Sequence, residues 1–174
     1  MPEMSKKYVP AHSKDESPDP KLLRFVRRVT DRLPGKLHGI RTEDPEYWGF
    51  ACIFEDEMTP EEKENSLDLL LQMKVRQKYA YETLFSLSGL AREIFDALVD
   101  KLAVLGMLEY DYGDRYTKDG PIPGTTYERA DRHYWVPLFV PGSAEYTNMN
   151  VQLMDRHPEL AMFFERMTFL PLER

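Results

Sequence analysis

Residues 90–112 change their hydrophobic period once, at a glycine. Leu90, Ile94, Leu98 and Leu102 recur every fourth residue, and Phe95 and Leu105 widen the stripe. That spacing predicts a helix over 90–105 with the stripe facing inward. Gly106 follows, where a left-handed residue commonly ends a helix. Met107 to Tyr112 then alternates apolar and polar, the period of a half-buried strand. A helix that passes its chain to a strand across one glycine leaves few arrangements open, because both must close the same small core.

The segments on either side narrow the choice. Thr59-Pro60-Glu61-Glu62 is a helix start, with a Thr cap, Pro in the first turn and acids at the positive end of the helix dipole. The helix is predicted to run to about Lys78 with Leu67, Leu70, Leu71 and Val75 inward. A short second helix is expected over 81–87, closed by Ser88-Gly89. Residues 113–132, with Gly113, Gly120, Pro121, Pro123 and Gly124, read as a long polar loop. His133 to Val140 reads as the returning strand, and Pro137 argues for an edge position or a bulge. Three helices followed by a hairpin is the order of a winged-helix domain. The expected fold class is therefore mainly α with a small β-hairpin. A winged-helix domain over 59–140 is flanked by an N-terminal basic arm and helix and a C-terminal amphipathic helix. The chain has 174 residues, enough for one core with tails and too few for two.

Residues 1–20 hold four prolines and read as a mobile or extended tail. Residues 21–58 read as a basic amphipathic helix and an aromatic linker. In the helix Leu22, Val26, Val29 and Leu33 face inward, and Lys21, Arg24, Arg27, Arg28 and Arg32 form a cationic face. An irregular course is expected over 36–59. Residues 141–174 form the last segment, with a short helix over 146–154 and a final one from His157-Pro158. Leu160, Phe163, Phe164 and Met167 make an apolar face there, and Phe169 and Leu172 continue it. Trp48, Phe163, Phe164, Phe169 and Leu172 are the candidates for docking a partner, where aromatics anchor contacts; the alternative is ordinary core filling.

Charge sets limits on function. Residues 1–41 carry ten Lys/Arg against five Asp/Glu, while 42–174 carry thirteen against twenty-five. An acidic body suits phosphate binding poorly. The basic arm, with Arg24, Arg27, Arg28 and Arg32 as candidates, either meets an acidic partner or folds back on its own body. The third helix carries Arg92 and Lys101 against Glu93, Asp96 and Asp100, with no Asn or Gln to read bases. The loop 113–132 is neutral. A winged-helix regulator that binds DNA is therefore the alternative reading, behind a protein-contact role.

No catalytic, cofactor-binding or metal-ligating constellation is visible. His12, His38, Cys52, His133 and His157 are dispersed, and each reads as a surface, capping or core residue. One cysteine excludes an internal disulfide and any iron–sulfur cluster held by this chain alone. Walker and G-x-G-x-x-G runs are absent, and Ser143 lacks a nucleophile elbow. No apolar run nears the ~20 residues of a membrane helix, and the start lacks a secretory apolar stretch. A cytoplasmic setting is expected.

Four stretches carry a family resemblance: Asp44-Pro45-Glu46-Tyr47-Trp48-Gly49, Leu105-Gly106-Met107-Leu108-Glu109-Tyr110, Val136-Pro137-Leu138-Phe139-Val140-Pro141-Gly142-Ser143-Ala144-Glu145, and Phe163-Phe164-Glu165-Arg166-Met167-Thr168-Phe169-Leu170-Pro171-Leu172-Glu173. Residues 42–174 resemble the N-terminal region of bacterial iron–sulfur flavoprotein oxidoreductases, mostly of anaerobes. In that family a winged-helix-like segment precedes ferredoxin-type 4Fe–4S domains and a glutamate-synthase small-subunit-like module for FAD and NAD(P)H. The resemblance implies an isolated N-terminal piece or a separate small subunit, possessing none of the cluster ligands or nucleotide-binding glycines. The clusters, FAD and NAD(P)H would belong to a partner or to downstream domains. The expected role is non-catalytic: to dock onto, position or regulate such an electron-transfer partner, in a hetero-oligomer and without membrane insertion.

Overall fold

The computed structural model describes residues 18–30, 45–138, 147 and 149–160. Its central helix starts where the sequence requires. The Glu62 amide donates to Thr59 Oγ1 at 3.1 Å, and the Thr59 amide donates to Glu62 Oε2 at 2.9 Å. This reciprocal box satisfies two amides at the helix start. It opens α3, Pro60–Gln72, whose Ser66, Leu67, Leu69 and Leu70 are buried. The helix stops at Gln72 rather than near Lys78, because Met73 is extended (ψ 143°) and the chain is drawn toward the sheet. Val75 makes an isolated parallel bridge to Val136 there. Arg28 donates to the carbonyls of Leu71 and Met73 at 2.7 and 3.1 Å, so carbonyls left open at the helix end have a cationic partner.

Strand β1 is Tyr79–Ala80, and α4, Tyr81–Ser88, follows it directly. Gly89 at φ 65° ends α4 in the left-handed region, where a side chain is strained. Helix α5, Arg92–Val104, buries Phe95, Leu98, Val99 and Leu102. The expected stripe is corrected here, since Ile94 is 47% exposed. A spacing of four advances about 40° beyond a full turn at 3.6 residues per turn, so it drifts off one face. The i, i+3, i+4, i+7 set centred on Phe95 stays on it.

Gly106 at φ 79° turns the chain into β2, Glu109–Asp111. The stretch 113–132 is more ordered than a long loop. It holds a small hairpin, β3 (Tyr116–Thr117) against β4 (Gly120–Pro121), and a 3-10 turn at Arg129–Asp131. Strand β5, His133–Trp135, returns between the other two in an antiparallel sheet of order β1-β5-β2, with Tyr134 facing both Tyr79 and Tyr110. An edge position for this strand is thereby overturned. Pro137 falls beyond its end, where it costs no ladder hydrogen bond.

The N-terminal flank forms α1, Pro20–Thr30, opened by Asp19, whose carboxylate accepts from the Lys21 and Leu22 amides. Leu22, Phe25, Val26 and Val29 are buried. Residues 45–56 are not irregular: α2, Pro45–Ala51, runs into a π turn at Cys52–Asp56. Tyr47, Trp48, Phe50, Ile53 and Phe54 all enter the core, so apolar burial on several sides holds a helix that Gly49 weakens. Phe25 meets Phe50 and Phe54 edge-on at 6.0 and 5.5 Å between ring centres. At the other end, α6, Val151–Arg156, is capped by Asn150 and pins Leu153 into the core. A 3-10 turn, Pro158–Leu160, follows; the rest of the expected final helix lies outside the described residues. Among the described residues, no helix is long and apolar enough to cross a membrane.

Candidate functional site

The outward side of α5 and the β2–β5 connection form one electrostatic unit. Arg129 grips Asp100 with both guanidinium nitrogens, at 2.7 and 2.6 Å. Arg132 adds a bond to the same carboxylate at 3.2 Å and lies over the Tyr110 ring at 4.2 Å. Asp96 accepts from the Tyr81 hydroxyl at 2.7 Å and lies 3.7 Å from Arg129 Nε. The forked bond from Arg129 holds the Asp100 carboxyl below its ordinary value of 3.8, with Arg132 lowering it further. Arg92, at the start of the helix, grips Glu82 and stacks 4.1 Å from the Phe85 ring. Arg115 pairs with Asp131, and Lys101 with Glu62. These cations are engaged by carboxylates of their own chain.

Beside this unit a groove of about 380 Å³ runs between the start of α3 and α5. Ile94, Ala97 and Leu98 form its apolar floor, and Glu61, Glu62 and Glu93 its acidic rim. Farther along α5, Val104 is 67% exposed.

A second cluster lies at the seam between α2 and the C-terminal segment. Cys52 Sγ, an Asp56 carboxylate oxygen and a His157 ring nitrogen lie within 4.8 Å of one another. Cys52 and His157 are buried and Asp56 is exposed. His157 Nε2 is 2.7 Å from Glu57 Oε1. Arg156 grips the same Glu57 at 2.8 and 3.1 Å. In the sequence these residues are dispersed, with no His or Cys pair at helical spacing. Cys52 and Asp56 are four apart, which is visible in the sequence; His157 arrives only through tertiary packing.

The other candidates from the sequence have mixed fates. Trp48 is packed against Tyr47 at 5.0 Å between ring centres and only 6% exposed, so it fills core rather than presenting a docking face. Phe163, Phe164, Phe169 and Leu172 lie outside the described residues, as does Arg32. Arg28 is bonded to the end of α3, and Lys21 pairs with Glu64 and Asp68. This part of the basic arm therefore folds back on the acidic body. Arg24 and Arg27 are on the exposed side of α1. Comparison with family models, curated proteins and solved structures returns no match to the chain.

Proposed function

We propose that this chain is a non-catalytic winged-helix module that works by protein contact. The order α3, β1, α4, α5, β2, β5, with a small hairpin between the last two strands, supports the winged-helix reading. In this reading α5 is the helix that a DNA-binding relative would lay in the major groove. The observation that carries the proposal is the character of that helix. Its groove has an apolar floor and an acidic rim, and the arginines beside it are bound to Asp96 and Asp100. Phosphates gain little there, whereas an apolar segment with cationic flanks gains both burial and charge complementarity. The sequence resemblance supplies the partner class: an iron–sulfur flavoprotein oxidoreductase that carries the clusters, FAD and NAD(P)H.

The test is co-elution of the purified chain with purified cluster-bearing flavoproteins, using wild type and Ile94→Asp. Ile94 is largely exposed, so its replacement leaves the core alone. Wild type is expected to co-elute and Ile94→Asp to weaken binding about tenfold, the loss of one apolar anchor. No co-elution by wild type, or equal binding by the variant, overturns the proposed contact. A titration of duplex DNA with salt distinguishes the regulator alternative: tight binding lost steeply with salt would establish a phosphate interface instead.

A further inference from the structure

We infer that Cys52, Asp56 and His157 form a divalent transition-metal site, suited to Zn2+, that staples the C-terminal segment onto the π turn that follows α2. The inference is independent of the docking reading. Three ligand types converge: a thiolate-forming sulfur, a carboxylate oxygen and an imidazole nitrogen, their atoms within 4.8 Å of one another. In a tetrahedral Zn2+ site the bond lengths put neighbouring ligand atoms about 3.3–3.6 Å apart. A side-chain contraction of roughly an ångström brings this set to that spacing. Soft sulfur together with imidazole favours Zn2+ over Mg2+ or Ca2+, which take oxygen ligands.

The surroundings orient the ligands. Cys52 and Asp56 are the first and last residues of a π turn, a widened turn that recurs at functional sites. Their side chains therefore leave one side of the helix. Glu57 accepts two bonds from Arg156, so its carboxylate has no proton to donate to His157. The bond at 2.7 Å must then run from His157 Nε2–H to Glu57 Oε1. The other ring nitrogen, Nδ1, is turned toward Asp56, 3.9 Å from its Oδ2. A carboxylate behind the imidazole is the arrangement that fixes the tautomer of metal-binding histidines. The buried sulfur and imidazole close the site on the protein side, and the exposed Asp56 marks where the ion enters. Three protein ligands leave one position for water.

The whole chain, stripped with EDTA and dialysed against Zn2+, is expected to retain about one ion per molecule by elemental analysis, the count a single three-ligand site with water requires. With Co2+ as the probe, it should show thiolate-to-metal absorption in the near ultraviolet and visible bands of tetrahedral intensity. Cys52→Ser should lose the thiolate absorption. Asp56→Asn changes an exposed residue and should keep the metal-free melting temperature while losing at least about tenfold in Zn2+ affinity, the scale seen when site groups are altered. Zn2+ should raise the melting temperature of wild type more than that of Asp56→Asn. No Zn2+ retained by stripped wild type, or equal affinity in Asp56→Asn, overturns the inference. If Cys52→Ser fails to fold, the Asp56→Asn comparison alone decides.

Discussion

Asp100 shows how a single carboxylate changes what its helix can do. It is the hub where Arg129 and Arg132, brought from the β2–β5 connection, meet α5. With the pair formed, the forked face of Arg129 is taken up by Asp100, and one nitrogen of Arg132 is bonded to the same carboxylate. The arrangement also carries a pH dependence. Arg129 first, and Arg132 after it, hold the folded-state pKa of Asp100 below 3.8. A depressed carboxyl pKa stabilises the fold above the unfolded-state value, and that contribution is lost as pH falls through the folded-state pKa. Acid titration of urea stability should therefore show wild type losing more than Asp100→Asn on going below about pH 4, the unfolded carboxyl range. Above that range Asp100→Asn should be the less stable protein. Identical pH profiles for the two proteins would show that the pair contributes nothing to the fold. Since the carboxylate is 45% exposed, solvent screening keeps the effect small.

At the scale of the element, α5 separates core-forming positions from surface positions one residue apart. Phe95 is fully buried, meeting Tyr81 and Phe85 edge-on at 5.5 and 5.4 Å. Ile94 lies on the groove floor at 47% exposure. Phe95→Ala should cost about 3–5 kcal/mol, while Ile94→Ala should stay within about 0.5 kcal/mol. Chemical denaturation measures both, and comparable losses would refute the assigned helix phase. The same contrast shows how far local pattern reading reaches. The Thr59 cap and the endings at Gly89 and Gly106 are legible in the sequence, because caps and left-handed glycines are local chemistry. The inward face of α5 is legible at Phe95, Leu98, Leu102 and Leu105 and fails only at Ile94, because a strict four-residue stripe rotates about 40° per step across the helix. Helix α2 was missed because Gly49 and clustered aromatics imitate a linker, and only packing against Phe25 reveals their use. The middle position of β5 was missed because strand order depends on pairing with a segment more than fifty residues away. The Cys52–His157 cluster was hidden for the same reason, since Glu57 and His157 are separated by 100 positions.

For the whole molecule, the question is what attaches the basic N-terminal flank to an acidic body. Charge complementarity is present, in the pairs of Lys21 with Glu64 and Asp68. Those acids are more than half exposed, so water and salt screen the attraction. On its other side α1 buries Leu22, Phe25, Val26 and Val29 completely or nearly so. Apolar area removed from water is insensitive to salt of this kind, and Phe25 bridges α1 to both Phe50 and Phe54. Attachment is therefore mainly apolar, with the half-buried pair of Asp19 and Lys63 at 2.9 Å beside it. Phe25→Ala should cost about 3–5 kcal/mol, whereas Lys21→Ala should leave the urea midpoint within experimental error. Raising sodium chloride from 0.05 to 0.5 M (roughly 14 to 4 Å of screening length) should likewise leave α1 docked. Protection of the Val26 and Val29 amides from hydrogen exchange reads this directly. Loss of protection with salt, or a Lys21→Ala penalty matching that of Phe25→Ala, would make the flank an electrostatic arm instead, free to leave the body for an acidic partner.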